Sequence, residues 1–361
     1  MIPIRLGYSV LTSMVKHKLN KVPNPGFVTF FNTDRCNLKC IFCDVWKNQG
    51  AKDAELSFDQ VKLVFQKIPK FDVFRISGGE PFLRSDVSDV VNFVDKNNKP
   101  LMIHFTTNGV LRQNIIRNFE KFKNPKKIHI KVSIDGTNNR HDYVRGVNGT
   151  FDQVMKTIES LIIMRKKMKF HLGVNHAIVN ETDINDYQKL KEILMTNKIP
   201  IYPTIANTSE KSLYNKGLGS PEKSVEPFGE WSSEGLNKFT KQLLEDAKNI
   251  DDFKENIVDK YFLGGLRNRL VHKNNYPKPK CVALKSHLRI LANGDVPTCL
   301  YNGEIVGNLL DDSFEKLWYD NQKINKQRKW VDNCVDNGGC WEGCESVVSG
   351  IYTGDILKSL R

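Results

Sequence analysis

Apolar residues recur along this chain with two periods in turn. The stretches FVTFFNT (27–33), FDVFRIS, LMIHFTT, KIHIKVSI and FHLGVNHAIV are short and rich in β-branched and aromatic residues, as buried strands are. Between them lie longer amphipathic stretches, SFDQVKLVFQKI (57–68), DVSDVVNFVDK, RQNIIRNFEKF, FDQVMKTIESLIIMRKK and DINDYQKLKEILMT, with apolar positions at helical spacing. A sixth strand, IPIYPTIA, closes the series. Six βα units with right-handed crossovers predict an α/β fold on a parallel sheet, with functional loops gathered at the carboxyl ends of the strands.

After Asn207 the alternation stops. TSEKSLYNKGLGSPEKSVEPFGEW, rich in Gly, Ser, Pro and Lys, reads as a long loop or lid, and two helices follow around 233–248 and 253–271. In the tail, SHLRILANGDVPTCL reads as a hairpin: a strand through LRILA, an Asn293-Gly294 turn, and a short strand into Cys299. The expected division is a leader (1–26), an α/β unit (27–207), a loop with bridging helices (208–275) and a cysteine-rich tail (276–361). The leader, IRLGYSVLTSMVKHKLNK, reads as an amphipathic helix with Leu6, Val10, Met14 and Leu19 on one side and Lys16, Lys18 and Lys21 near its end. Packing against the α/β unit is favoured over membrane contact.

Charge adds one constraint. The 361 residues carry 54 Lys and Arg against 41 Asp and Glu, a net +13, much of it in lysine runs such as RKKMK. A solvated basic surface accounts for that better than nucleic-acid binding, while an anionic substrate, an acidic peptide or an acidic membrane surface stays open. The longest apolar runs fall far short of the twenty or so residues needed to cross a bilayer. Without a cleavable apolar segment at the start, the expected compartment is the cytoplasm.

The eight cysteines change the picture most. Cys36, Cys40 and Cys43 stand within NTDRCNLKCIFCDVW, and Cys281, Cys299, Cys334, Cys340 and Cys344 cluster near the end. In a reducing compartment such grouping argues for metal or cofactor ligation over disulfides. Zinc usually takes four protein ligands, and the first group has three. A [4Fe–4S] cube takes one thiolate per iron, so three thiolates leave one iron open to a small molecule.

Cys36, Cys40, Phe42 and Cys43 after the first strand resemble the Cys-x3-Cys-x-aromatic-Cys signature of the radical S-adenosylmethionine (SAM) superfamily. The resemblance extends to later strand ends, each weak alone as an ordinary turn dipeptide: SGGEP at 77–81, TTNG at 106–109, SIDG at 133–136 and Arg145 beyond it. It implies a partial (β/α)6 TIM-like barrel holding a [4Fe–4S] cluster and SAM. In the family's pattern Gly78 and Gly79 meet the methionyl amino group with Glu80 helping. Ser133 lies near the ribose or carboxylate, Arg145 pairs the carboxylate, Asn175 reaches the ribose, and Asn108 and Asp135 complete the strand ends. Arg145 has the soundest physical basis, because guanidinium matches carboxylate in a bidentate fork.

The tail, with GDVPTC followed by Cys334-x5-Cys340-x3-Cys344, resembles the SPASM/twitch extension of the same superfamily. Complete SPASM domains hold two auxiliary clusters. Here Val331 occupies the first position of the final cysteine run and no cysteine follows Cys344, so five thiols serve one cluster with one to spare. The expectation is one auxiliary [4Fe–4S] cluster, with two partly ligated ones or a structural zinc as alternatives. Cys281, Cys299 and Cys344 lead the ligand set, and Cys340 or Cys334 comes fourth.

The resemblance implies a radical SAM oxidoreductase working with a reductant such as flavodoxin or ferredoxin. A ribosomally made peptide is the leading substrate. Alternatives are a small-molecule dehydrogenase acting on an alcohol or aminosugar-type substrate, and modification of an anionic lipid precursor. An iron–sulfur carrier or RNA-binding module would leave the strand ends unexplained. No catalytic residue beyond the cluster is assigned.

Overall fold

The structure, a computed structural model, describes residues 4–47, 49–206, 227–248, 253–336 and 339–360. A helix, α1 (Ile4–Lys18), precedes β1 (Phe27–Thr33), and the chain then alternates α2 (Phe58–Lys67), β2 (Val73–Gly78), α3 (Val87–Asn97), β3 (Met102–Thr107), α4 (Arg112–Lys121) and β4 (Ile128–Ser133). A short α5 (Asn139–Arg145) intervenes before α6 (Thr150–Met168), β5 (His171–Ile178), α7 (Ile184–Met195) and β6 (Ile201–Ile205). The six strands pair in parallel in chain order, as the alternating periods predict. The segment read as a loop or lid lies outside the described residues up to 226. Beyond it, α8 (Ser233–Lys248) and α9 (Phe253–Leu270) fall where two helices were expected.

Local chemistry explains these boundaries. Ser57 caps α2 by accepting from the Gln60 N–H while the Gln60 side chain accepts from the Ser57 N–H, a reciprocal capping box. Along α2, Val61, Val64 and Phe65 turn inward, and Val87, Val90, Val91 and Val94 do so along α3. They meet one face of the sheet, where Val28, Phe30, Phe74, Ile76, Ile103, Phe105, Ile130 and Leu172 are all buried in one cluster. Truncating one such ring to Ala costs about 3–5 kcal/mol. The opposite face of the same strands is mixed, with Thr29, Arg75, His104, His129 and His171 alongside Phe31, Val73 and Met102.

The tail departs from its predicted hairpin. β7 (His287–Ile290) does not pair with the strand that follows it; it adds to the free edge of β1, in parallel, as a seventh strand of the main sheet. The turn expected at Asn293-Gly294 does form, with the Leu291 N–H donating to Asp295 O at 2.8 Å and Gly294 at φ +90°. The antiparallel ladder, however, joins β8 (Asp295–Pro297) to β9 (Ile305–Asn308). All four residues of β7 are buried. The unpaired edge of β1 competes for this strand and wins, since an open edge leaves a row of backbone groups unsatisfied. The final helices are α10 (Gln322–Asp336) and α11 (Val348–Thr353).

The leader packs onto the domain as expected. Val10 joins Phe27, Val282, Val348 and Tyr352, and Ser13 and His17 meet the Ser286 hydroxyl. Leu6 and Met14 are half-buried, but Leu19, expected on the packed side, is exposed and lines up with Ile4, Tyr8, Leu11 and Val15 on the outward face. Helical register itself puts it there: the Leu19 N–H still donates to Val15 O at 3.0 Å, and nine residues at about 100° each turn Leu19 to the side opposite Val10. No helix among the described residues is long and apolar enough to cross a membrane.

Candidate active site

The expected residues meet at the carboxyl ends of β1 to β5. Cys36, Cys40 and Cys43 occupy the loop leaving β1, and several strand ends grip that loop. Gly78 and Gly79 form a buckle: the Gly79 N–H donates to Thr33 O at 2.8 Å and the Glu80 N–H to Arg35 O at 2.8 Å. A Cβ on Gly79 would stand 2.0 Å from Arg35 O, and Gly78 has φ +125°, so both positions require glycine. Glu80 is buried and accepts from Thr107 Oγ1 (2.7 Å), the Asn108 N–H (2.7 Å) and the Phe82 N–H (3.2 Å). Burial raises its pKa to about 7 against the opposing pull of these donors. Asn108 in turn donates its amide to Asn37 Oδ1 at 2.8 Å, tying β3 to the cysteine loop.

Arg145 closes the other side. Its carbonyl accepts from the Lys39 N–H at 3.0 Å, and the Val144 carbonyl accepts from the Ile41 N–H at 3.0 Å, so the end of α5 holds the loop's middle. The guanidinium lies 2.6 Å from Asp135 Oδ2 and donates to Cys40 Sγ at 3.6 Å, with its carbon 5.9 Å from the centre of the Phe42 ring. Its Nε has no hydrogen-bond partner. Asp135 also accepts from the Ala177 N–H at 2.8 Å, which fixes the carboxylate that aims Arg145. Ser133, the last residue of β4, sits beside Asn175, three residues before the end of β5.

Sequence reading missed the residues that hold this loop from outside. Arg35, beside Cys36, forks onto Glu55 through Nε (3.0 Å) and Nη2 (3.2 Å), and Thr33 Oγ1 donates to the same carboxylate. Arg84 donates to the carbonyls of Asn32 (3.2 Å) and Leu56 (2.9 Å) while pairing with Asp86. No local motif marks them, because Glu55 lies twenty residues from Arg35, and Arg84, though paired with nearby Asp86, holds the loop through backbone carbonyls.

The auxiliary cysteines also converge. Cys281, Cys334 and Cys340 line one small cavity, and Cys281, Cys299 and Cys340 pack around Ala283, Tyr301 and Val331. The side chain of Cys344 lies outside the described residues. A buried acid missed from sequence, Glu345, faces this group. It ion-pairs with Arg289 of β7 and lies 3.5 Å from His287 Nδ1, linking the tail to the barrel sheet. Burial pushes the Glu345 carboxyl up, but Arg289 and His287 hold it below the usual range.

Both thiol groups suit iron–sulfur ligation. Burial raises Cys36 to about 12 and Cys43 to about 11, and Cys299 and Cys334 to about 12 and about 11. Thiols this reluctant to ionise alone lose their protons to a cationic cluster. A cube spreads its ligands one per iron.

Residues 32–189 match the family profile described as the Radical SAM superfamily, and residues 281–345 match SPASM, an iron-sulfur cluster-binding domain. Among curated proteins, the chain is 27% identical over 170 residues to Fe-coproporphyrin III synthase of Methanosarcina barkeri (strain Fusaro / DSM 804), covering 46% of this chain and 40% of that one. It is 32% identical over 154 residues to the antilisterial bacteriocin subtilosin biosynthesis protein AlbA of Bacillus subtilis (strain 168), covering 39% and 32%. The matches thus span less than half the length of these two relatives. The solved structure of native anSMEcpe with bound AdoMet and Cp18Cys peptide shares the fold at a TM-score of 0.56 and 18% identity, covering 93% of this chain and 95% of that one. With both profiles in the order and places that the two cysteine groups occupy, the chain belongs to the radical SAM superfamily, in its SPASM-containing branch, whose members bind SAM and iron–sulfur clusters.

Proposed function

We propose that this radical SAM enzyme modifies a ribosomally made peptide, with Cys36, Cys40 and Cys43 holding the SAM cluster and four of Cys281, Cys299, Cys334, Cys340 and Cys344 holding one auxiliary cluster. The observation that carries the reading is the shared grip of the glycine buckle, Asn108 and Arg145 on one three-thiol loop. When bound and reduced, by a donor such as flavodoxin or ferredoxin, the cluster with SAM supplies a 5′-deoxyadenosyl radical that removes hydrogen from an unreactive C–H bond.

The chain's own residues orient and enclose. Asp135 fixes Arg145, whose unpartnered Nε and fork geometry suit the SAM carboxylate. Gly78 and Gly79 bring backbone close to the methionyl end, with Glu80 stapling that turn to β3. Ser133 and Asn175 serve the ribose, and Phe42 lies on the adenine side. An auxiliary cluster held by four of the five C-terminal cysteines would supply electron transfer or help place the substrate.

Peptide modification is supported by AlbA, named for bacteriocin biosynthesis, and by the peptide bound in anSMEcpe. A small-molecule substrate is the second reading, favoured by the likeness to Fe-coproporphyrin III synthase. The test is anaerobic reconstitution followed by reduction with SAM and assay of candidate precursor peptides. About eight irons per chain are expected from two cubes, and Cys40→Ala should abolish 5′-deoxyadenosine. Retained SAM cleavage in Cys40→Ala would overturn the cluster assignment. Turnover of a small molecule with every peptide inert would overturn the peptide reading.

A further inference from the structure

Helix α1 has two apolar faces. The inner one holds the helix on the domain: Val10 packs with Phe27, Val282, Val348 and Tyr352, Ser13 and His17 meet Ser286, and Arg5 donates to the carbonyls of Phe71 and Lys99. The outer one is open. Ile4, Tyr8, Leu11, Val15 and Leu19 are 93%, 72%, 61%, 54% and 61% exposed, and at about 100° per residue they fall within an arc of about 80°. No other element among the described residues exposes more than two large apolar side chains. Single exposed apolar residues are ordinary, but a row along one helix marks a surface that another body covers.

The edges of the row are basic. Lys16 stands on one side of it and Lys18 on the other, and exposed Lys21 follows the helix. Before Asp34 the chain holds four cations, Arg5, Lys16, Lys18 and Lys21, and no Asp or Glu. Lys280 and Lys285 add positive charge beside His17 from the tail. Two acids reach this region from other elements, and each faces a cation of its own: Asp72 lies 3.8 Å from Arg5, and Asp332 pairs with Lys285.

This charge pattern selects the occupant. Helices that pair through an apolar row carry opposite charges along its edges, whereas two copies of α1 would set lysines against lysines. An anionic bilayer surface complements both features. The apolar side chains and Tyr8 enter the interface, while the lysine stems lie along it with their ammonium groups at the phosphates.

The placement of α1 sets the orientation. Phe71 and Lys99 precede β2 and β3, Ser286 precedes β7, and Phe27 opens β1, so the helix lies under the amino ends of these strands. The cysteine loop leaves the opposite end of β1, roughly 20 Å away at about 3.3 Å per residue. A chain lying on a bilayer through α1 therefore turns its SAM site away from the lipid.

We infer that the outward face of α1 docks this chain on an anionic lipid surface, with Ile4, Tyr8, Leu11, Val15 and Leu19 in the interface and Lys16, Lys18 and Lys21 at the headgroups. The inference goes beyond the peptide reading and does not depend on it.

The test is flotation of the reconstituted holo chain with vesicles of phosphatidylcholine containing about one-third phosphatidylglycerol, and with vesicles of phosphatidylcholine alone. Binding to the anionic vesicles is expected, at least tenfold tighter than to the neutral ones and weaker at high salt. Leu11→Ser/Val15→Ser should weaken it at least tenfold and Lys16→Gln/Lys18→Gln at least fivefold. Matched changes on exposed residues elsewhere, Ile163→Ser/Met195→Ser and Lys166→Gln/Lys167→Gln, should leave it within twofold. Iron content and SAM cleavage in solution should be unchanged in all four variants, which separates lost docking from lost fold. No binding at millimolar lipid, equal binding to both vesicle types, or equal weakening by the matched changes would overturn the inference. So would a dimer in sedimentation that Leu11→Ser/Val15→Ser dissociates while the parent ignores vesicles, since the row would then face a second copy.

Discussion

Substituting Gly79 by alanine tests the buckle that holds the cysteine loop. The added Cβ would lie 2.0 Å from Arg35 O, 2.5 Å from Arg35 C and 3.1 Å from Cys36 N, against an ordinary contact of 3.4 Å or more. Backbone around Arg35 and Cys36 must therefore retreat by about 1.4 Å, because the obstacle is main chain and not a side-chain tip that could swing away. The retreat breaks the Gly79–Thr33 and Glu80–Arg35 hydrogen bonds, worth about 1 kcal/mol each. It also carries Cys36 out of register with Cys40, which Arg145 and Val144 hold from the other side. The expected result is an otherwise folded chain that keeps about four of about eight irons and loses SAM cleavage at least a hundredfold, the usual cost of an ångström-scale misplacement. Iron and sulfide assays with 5′-deoxyadenosine quantification measure both. Full iron with SAM cleavage within twofold of the parent would show that the glycines do not position the loop.

Two further outcomes follow from the buried acids. Burial raises Glu80 from 4.5 to about 7, so its folded form favours the protonated state and its stability contribution is lost as pH rises from about 4.5 through about 7, by roughly 3 kcal/mol in all. Glu80→Gln carries a neutral stand-in for the protonated carboxyl, so its denaturant midpoint should lie closest to the parent's at pH 5 and move above it by pH 8, and a gap that shrinks as pH rises would contradict the sign. Arg289→Met leaves Glu345 charged and buried, which should cost about 3–5 kcal/mol. The Arg289→Met/Glu345→Met pair should recover most of that loss in thermal melts, and no recovery would mean that Arg289 acts through other contacts.

Much of the fold was legible in the linear pattern, because periods of two and 3.6 report which face of each element is buried. The strand FVTFFNT and the capped helix after Ser57 are local consequences of side-chain spacing and one hydroxyl. The three-cysteine loop was legible too, since its ligands lie within eight residues and need no tertiary contact to be grouped. What escaped were pairings between distant residues: Glu55 with Arg35, and Arg289 with Glu345. Each is an ordinary polar residue on its own element, and only the packing of elements far apart in sequence brings the partners together.

The tail divides the same way. Sequence determined that LRIL would be a strand and that Asn293-Gly294 would turn, because both depend on backbone preferences within a few residues. Tertiary structure decided its partner. The unsatisfied edge of β1, more than 250 residues upstream, offered a ladder that the neighbouring strand could not match, and no local pattern records which edge will be open.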